Sequence, residues 1–395
     1  MKLRASLLIC AVLLASCNIT INSLPSAPQQ PTAVPPPTEI PPTPYPDTPS
    51  PPEIAAPRVE TPALLDIHFL NELDAWGVTE TQIVRTNDGG LTWYNVTPPD
   101  LAETGTTVET FILDKDHAWV QKPDFNNFPN NGLLYRTADG GLTWSIASTP
   151  FSGGDLSFID QQNGWMLADL GVGAGSNAVA VFQSGDGGAT WVRTYTNDPN
   201  DPGAGDSLPL GGIKSGLVPL NMQTAWVTGV IYASGTVYLY RTDNGGQTWS
   251  QVNLALPAGA ENSELGIDRD QMQFVSADNG FLVIRMAGEQ TQSAVYVTND
   301  GGDTWTLTPT LIPNAGSSDF LSAQEAIIYN GEQFYVTHDA ANTWATVSPN
   351  IVFGDSFGTM DFVNSNTGWI VTVTENHHSL YRTDDGGATW SAVIP

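Results

Sequence analysis

The chain has 395 residues, long for one domain but within the span of large all-β domains. It carries 13 Lys and Arg against 41 Asp and Glu, a formal net charge of -28. A surface of that sign repels phosphate backbones and anionic lipid, which argues against nucleic-acid binding.

Lys2 and Arg4 open the chain and are followed by an apolar run, Ala5–Leu14. The run is too short for a permanent membrane span and predicts a signal peptide over residues 1–16. Leu14-Ala15-Ser16-Cys17 closes it and resembles a bacterial lipobox, which implies Cys17 as the lipidated first residue of the mature protein. The two cysteines are Cys10 and Cys17, so the folded part is expected to have no disulfide and no cysteine metal site. Residues 17–62 read as a tether. Proline fills 15 of the 39 positions from 24 to 62, which favours extended polyproline II over a core.

From residue 63 the chain is periodic. RTNDGGLTW (85–93) returns as RTADGGLTW, QSGDGGATW, RTDNGGQTW, VTNDGGDTW, VTHDAANTW and RTDDGGATW. The acid position is held by Asp88, Asp139, Asp186, Asn244, Asp300, Asp339 and Asp385. Their spacing suits four short strands plus loops of variable length. All 12 tryptophans fall on two positions of the repeat. Trp93, Trp144, Trp191, Trp249, Trp305, Trp344 and Trp390 close the phrase. Trp76, Trp119, Trp165, Trp226 and Trp369 stand upstream, with Phe281 or an aliphatic (Ile327, Ile328) there in the fifth and sixth copies.

Each copy predicts strand, turn, strand, loop, strand, GG turn, strand. In the first copy these lie near 64–70, 75–80, 82–86 and 92–97. The GG pair supplies positive φ for a tight turn, and the Asp accepts backbone N–H bonds across it. Seven such units predict an all-β, seven-bladed β-propeller of four-stranded antiparallel blades over residues 63–395. In the sixth copy Ala341 replaces a glycine, which predicts a different turn.

The phrase resembles the Asp-box, or BNR repeat, which is placed between strands 3 and 4 of each blade. The form T-x-D-G-G-x-T-W is most similar to photosystem II stability and assembly factor-like propellers. It is also similar to sialidases, sortilin-type receptors and xyloglucan-degrading enzymes. The assembly-factor likeness implies a non-enzymatic, protein-binding scaffold. Residues 61–395 depart from that pattern, with 10 basic and 37 acidic side chains where those factors look to use a basic patch.

Alternate loops of such a propeller lie on opposite faces, and the longer, variable ones share the face that carries the candidate site. Phe125 and Phe128 would stack on a sugar or peptide. Asp198, Asp201 and Asp206 crowd a loop but lack the spacing of a calcium site. His377 and His378 are adjacent and point opposite ways in a strand, so no shared metal is expected. Sialidase chemistry implies an arginine triad, yet Arg85, Arg136, Arg241 and Arg382 are repeat positions and Arg193 follows a phrase tryptophan. Arg269 and Arg285 remain, one short. Xyloglucan-degrading enzymes are taken to use two propellers across a cleft, and one is present here. The sequence therefore leads to a monomeric, lipid-anchored extracytoplasmic lipoprotein without cofactor, binding a protein or glycan at the cell envelope. Its alternative is a carbohydrate-binding protein or glycoside hydrolase.

Overall fold

A computed structural model describes residues 54–375 and 377–394. The expected signal peptide, Cys17 and most of the tether lie outside the described residues. The rest is all-β, with only three 3-10 turns among the described residues.

The first copy follows the predicted pattern closely, with strands Asp66–Phe69, Ala75–Val78, Ile83–Thr86 and Trp93–Asn95. A fifth strand, Arg58–Val59, pairs with Trp93–Asn95. Copies two, three, six and seven each form one four-stranded antiparallel sheet in chain order. The fold is a β-propeller, but five blades stand separately where seven were predicted. Copies four and five share a nine-stranded sheet. The short strand Glu264–Gly266, in the long connection between them, causes the fusion. It pairs with Val230 of copy four and with Arg285–Ala287 of copy five.

The tryptophans fill the spaces between copies. Trp76, Trp119, Trp165, Trp226 and Trp369 are all at most 2% exposed. Each buries an area on the order of 150–250 Å². Trp369 of the last copy stacks on Phe69 of the first, centroids 3.7 Å apart, and its indole donates to the Gly89 carbonyl at 3.3 Å. Trp119 donates likewise to Gly187 of the next copy at 2.9 Å. The repeated arginines do the same work. Arg85 donates to the Gly140 carbonyl at 3.0 Å and Arg241 to the Gly302 carbonyl at 3.1 Å. Arg85, Arg241 and Arg382 each lie about 5 Å over their own copy's upstream Trp ring.

The acid of the phrase shapes its own turn. Asp88 Oδ1 accepts from Thr86 Oγ1 and from the Thr92 amide, both at 2.8 Å, and Thr86 Oγ1 accepts from the Gly90 amide. Asp139, Asp186, Asp300, Asp339 and Asp385 repeat the arrangement, and Asn244 does so with its amide oxygen. The sixth turn does not depart as expected. Its alanines adopt φ 56 and 62 and keep the same bonds. Left-handed alanine costs roughly 1–2 kcal/mol per residue, which the surrounding packing absorbs.

Asp88→Ala is expected to lower unfolding free energy by about 1–2 kcal/mol, because two donors lose their acceptor. Asp88→Asn, which copy four already uses in Asn244, should change it by less than about 0.5 kcal/mol. Denaturant titration of the three proteins checks this; equal midpoints would remove the turn-shaping role.

Candidate functional site

The first strands of the copies touch one another around the axis. Asp66–Phe69 meets Phe357–Phe362, Gly154–Phe158 meets both Glu109–Ile112 and Ile213–Pro219, and Ser318–Phe320 meets Phe357–Phe362. These strands bury alternate residues against neighbouring copies. Their other residues face the axial channel, and several are acidic. Counting back from each strand's last residue, Asp66, Glu109 and Asp155 occupy one level. Asp319 and Asp361 occupy another, two residues deeper.

Part of this acid set fastens copy to copy. Asp155 Oδ2 accepts from the Leu217 amide of the next copy at 2.5 Å, and Asp319 Oδ2 from the Phe362 amide at 3.0 Å. Asp361 Oδ2 accepts from Phe69, which joins the last copy to the first. At the mouth, one cation reaches across. Arg269, just before the first strand of copy five, donates through Nη1 to Glu109 Oε2 at 2.9 Å. Its Nη2 bonds Glu109 Oε1 and Asp155 Oδ1. Copies two and three are not neighbours of copy five, so this guanidinium spans the axis.

Glu109, Asp155 and Asp270 thus crowd one guanidinium with Asp66 nearby, and burial costs Glu109 and Asp155 their hydration. Burial pushes Glu109 up to about 7 despite Arg269, and Asp155 and Asp270 add to the rise. Burial also raises Asp66 and Asp155. Deeper in, burial lifts Asp361 to about 7, and burial with the Asp361 charge holds Asp319 well above its usual range. His68 lies 3.6 Å from Asp361 and is lowered by burial, although half of its side chain touches solvent in the channel. The channel is wet, but protein surrounds it closely enough to disfavour charge. A carboxyl group that ionises near pH 7 suits proton donation, and a neighbouring carboxylate supplies the second group that glycosidic cleavage needs.

The residues singled out from the sequence lie elsewhere. Phe125 and Phe128 are 72% and 44% exposed in the loop between Ala118–Pro123 and Gly132–Thr137. Asp201 pairs with Arg193 at 2.7 Å, Asp198 holds the Asn200 amides, and Asp206 is exposed. His378 Nδ1 donates to the Leu64 carbonyl at 2.7 Å, while His377 is exposed at the strand start. None of them bonds the axial acids among the described residues. No described group of three or more His, Cys, Asp or Glu is placed to hold a metal. The axial acids were missed because the first strands were read for their apolar residues alone. The available signal was an acid at the same offset in copies one, two and three.

Two cavities stand out. One of about 530 Å³ lies at the seam of copies seven and one, beside Asp88 and Asp385, whose carboxylates already serve their own turns. A smaller one of about 260 Å³ adjoins the channel mouth and includes Asp155, Asp169, Asn177, Ser215 and Arg269. The smaller cavity is the one next to acids whose ionisation burial raises.

No family model matches the chain. A xyloglucanase from Paenibacillus sp is 25% identical over 305 residues, which are 71% of this chain and 25% of that protein. A xyloglucanase of Acetivibrio thermocellus is 27% identical over 168 residues, 37% of this chain and 19% of that one. The chain thus spans about a quarter or less of the length of these relatives. Among solved structures, the GH74 xyloglucanase of Xanthomonas campestris superposes with a TM-score of 0.56 at 15% identity, covering 85% of this chain and 55% of that one. That likeness bears on fold alone. The relatives correct the scaffold expectation: their printed activity points to a glycoside hydrolase and away from a non-enzymatic assembly factor.

Raised acids leave a mark on stability. The native state holds the Glu109 proton up to about pH 7, whereas the unfolded chain releases it near 4.5. The native state therefore binds more protons in that window, and stability rises as pH falls through it. The turn acids act lower; bonds from the Thr304 hydroxyl and amide hold Asp300 down to about 2. Melting temperature should be higher at about pH 5 than at about pH 8, and Glu109→Gln with Asp361→Asn should flatten that difference. An undiminished slope in the double variant would place its origin in groups other than Glu109 and Asp361.

Proposed function

We propose that this chain is a glycoside hydrolase-type propeller acting on neutral β-glucan of the xyloglucan kind. The 25% identity to a xyloglucanase over 71% of the chain carries this reading. The acidic channel mouth supports it. Glu109, ionising near neutrality, is assigned the proton donation to the glycosidic oxygen. Asp155, beside Arg269, is assigned the charge stabilisation on the other side of the scissile bond. Arg269 must then release Glu109 when a sugar enters.

The same proposal takes the nine-stranded sheet as two fused blades, so that the ring closes at seven, and takes the T-x-D-G-G-x-T-W turns as Asp-box turns. It keeps lipidation at Cys17 and the proline-rich tether as the means of holding a monomeric propeller outside the membrane, where polysaccharide is met.

Xyloglucan and mixed-linkage β-glucan are incubated with the full chain and new reducing ends are counted. Turnover is expected, falling at least about 100-fold in Glu109→Gln. Absence of turnover on every neutral β-glucan between about pH 5 and 8 would defeat the hydrolase assignment.

A further inference from the structure

Arg269 stands on a short turn that three copies hold in place. Before it, Ile267 is fully buried and its amide donates to the Gly229 carbonyl of copy four at 3.1 Å. Asp268 pairs with Arg285 of copy five at 3.0 Å, and the Gln271 amide closes the turn on the Asp268 carbonyl at 3.2 Å. Asp270 takes φ 66, a left-handed conformation that suits tight turns. Gln271 then reaches copy six, where its side-chain oxygen accepts from Ser318 Oγ at 3.2 Å. The backbone is thus fixed on both sides of Arg269, while the side chain leaves the turn and crosses the axis.

Where that side chain lands excludes the chemistry assigned there. The guanidinium donates to both oxygens of Glu109, through Nη1 at 2.9 Å and through Nη2, and Nη2 also bonds Asp155 Oδ1. The other Asp155 oxygen is taken by the Leu217 amide. A two-pronged guanidinium contact needs an ionised carboxylate, whose oxygens only accept. Proton donation needs the same carboxyl group neutral, with its O–H aimed at substrate. Glu109 cannot do both at once. Arg269 is also the most exposed of the three, its side chain 43% open to solvent against 20% for Glu109 and 16% for Asp155. It lines the adjoining cavity of about 260 Å³ as well, so space for the side chain to withdraw lies beside the mouth.

We propose that Arg269 is a latch built into the chain: paired with Glu109 and Asp155 it caps the channel mouth at rest, and its withdrawal frees both acids for reaction. The proposal rests on the hydrolase reading above and adds how that site is held idle and what opens it.

A neutral glycan brings no charge with which to displace a cation, so opening is left to salt and protons. Salt screens a partly exposed ion pair. A proton on Glu109 neutralises one of the two carboxylates bonded to the guanidinium and, in the same step, makes Glu109 the donor. Around Glu109 stand Lys122 on the paired strand Ala118–Pro123, Asp155 on the first strand of copy three, Asp268 and Asp270 beside Arg269, and Asp66 at the same level. Asp155 and Asp270 favour the protonated form and Arg269 opposes it, so removal of Arg269 raises Glu109 further.

Xyloglucan turnover and melting temperature are measured for the full chain, for Arg269→Gln and for Arg269→Lys. Wild-type turnover at about pH 7 is expected to rise about threefold or more between roughly 0.02 and 0.5 M salt. Arg269→Gln, which has no charge, should exceed wild type at low salt by about the same factor and lose the salt response. Arg269→Lys, which keeps the charge without the fork, should fall between them. Melting reads the pairing without turnover. Arg269→Gln should melt closer to wild type at about pH 5, where Glu109 is neutral, than at about pH 8, where a buried carboxylate has lost its partner. Wild-type turnover that Arg269→Gln lowers or leaves unchanged, or the same melting offset at both pH values, would overturn the latch alone. Turnover in Arg269→Gln only would show a latch closed at rest. Absence of turnover in all three proteins would remove the hydrolase reading and the latch with it.

Discussion

Several seams of the propeller are closed by a glycine carbonyl that one unit presents to the cations and indoles of the unit before it. Arg85 reaches Gly140, Arg136 reaches Gly187, Arg241 reaches Gly302, and the Trp119 and Trp369 indoles reach Gly187 and Gly89. Each part of the nine-residue phrase serves that contact. The Thr–Asp pair shapes the turn, and the glycines take the positive φ that turns the carbonyl outward. Their missing side chains let the neighbour approach; a Cβ on Gly302 would lie 2.5 Å from the Trp226 ring. The arginine then reaches the next copy. A phrase whose ends act on different units can only work in series, which is why it recurs.

With the outer seams held this way, the inner strands are left to meet around the axis, and carboxylates take part in the joining there. Asp155, Asp319 and Asp361 each accept an amide from the following copy. The arrangement sets up a conflict. An acceptor is needed at each join, yet several acids in one narrow channel repel one another and lose hydration. Burial favours the neutral form of Glu109, Asp319 and Asp361, and one arginine reaches across the mouth. Acids that join copies and the acids assigned to the proposed chemistry are thus drawn from one set.

Much of the fold was legible because the repeat carries its own register. The strands of the first copy fall within a few residues of their expected places, and every tryptophan falls at a seam or phrase end. The fusion of copies four and five was not legible. Glu264–Gly266 is three residues inside a connection that the sequence marks by Pro257 and two glycines as loop, and only its tertiary neighbours make it a strand. The site was less legible: Asp66, Glu109 and Asp155 stand at one offset in three copies, but only the fold shows that their strands meet around the axis. Contacts between copies are what sequence periodicity averages away.

Lys214 shows how the variable face can be both irregular and fixed. A lysine buried beside Tyr238 loses hydration, and burial pushes it down to about 8. Four converging carbonyls compensate, of which Leu210 also accepts from the Asn177 amide and Pro209 from the Tyr238 hydroxyl. One side chain therefore satisfies backbone from two copies, where regular pairing cannot reach. The repeating seams supply a rigid frame, and a single interior cation ties the non-repeating loops to it. The wall of the smaller cavity combines both, an irregular shape and a firm frame.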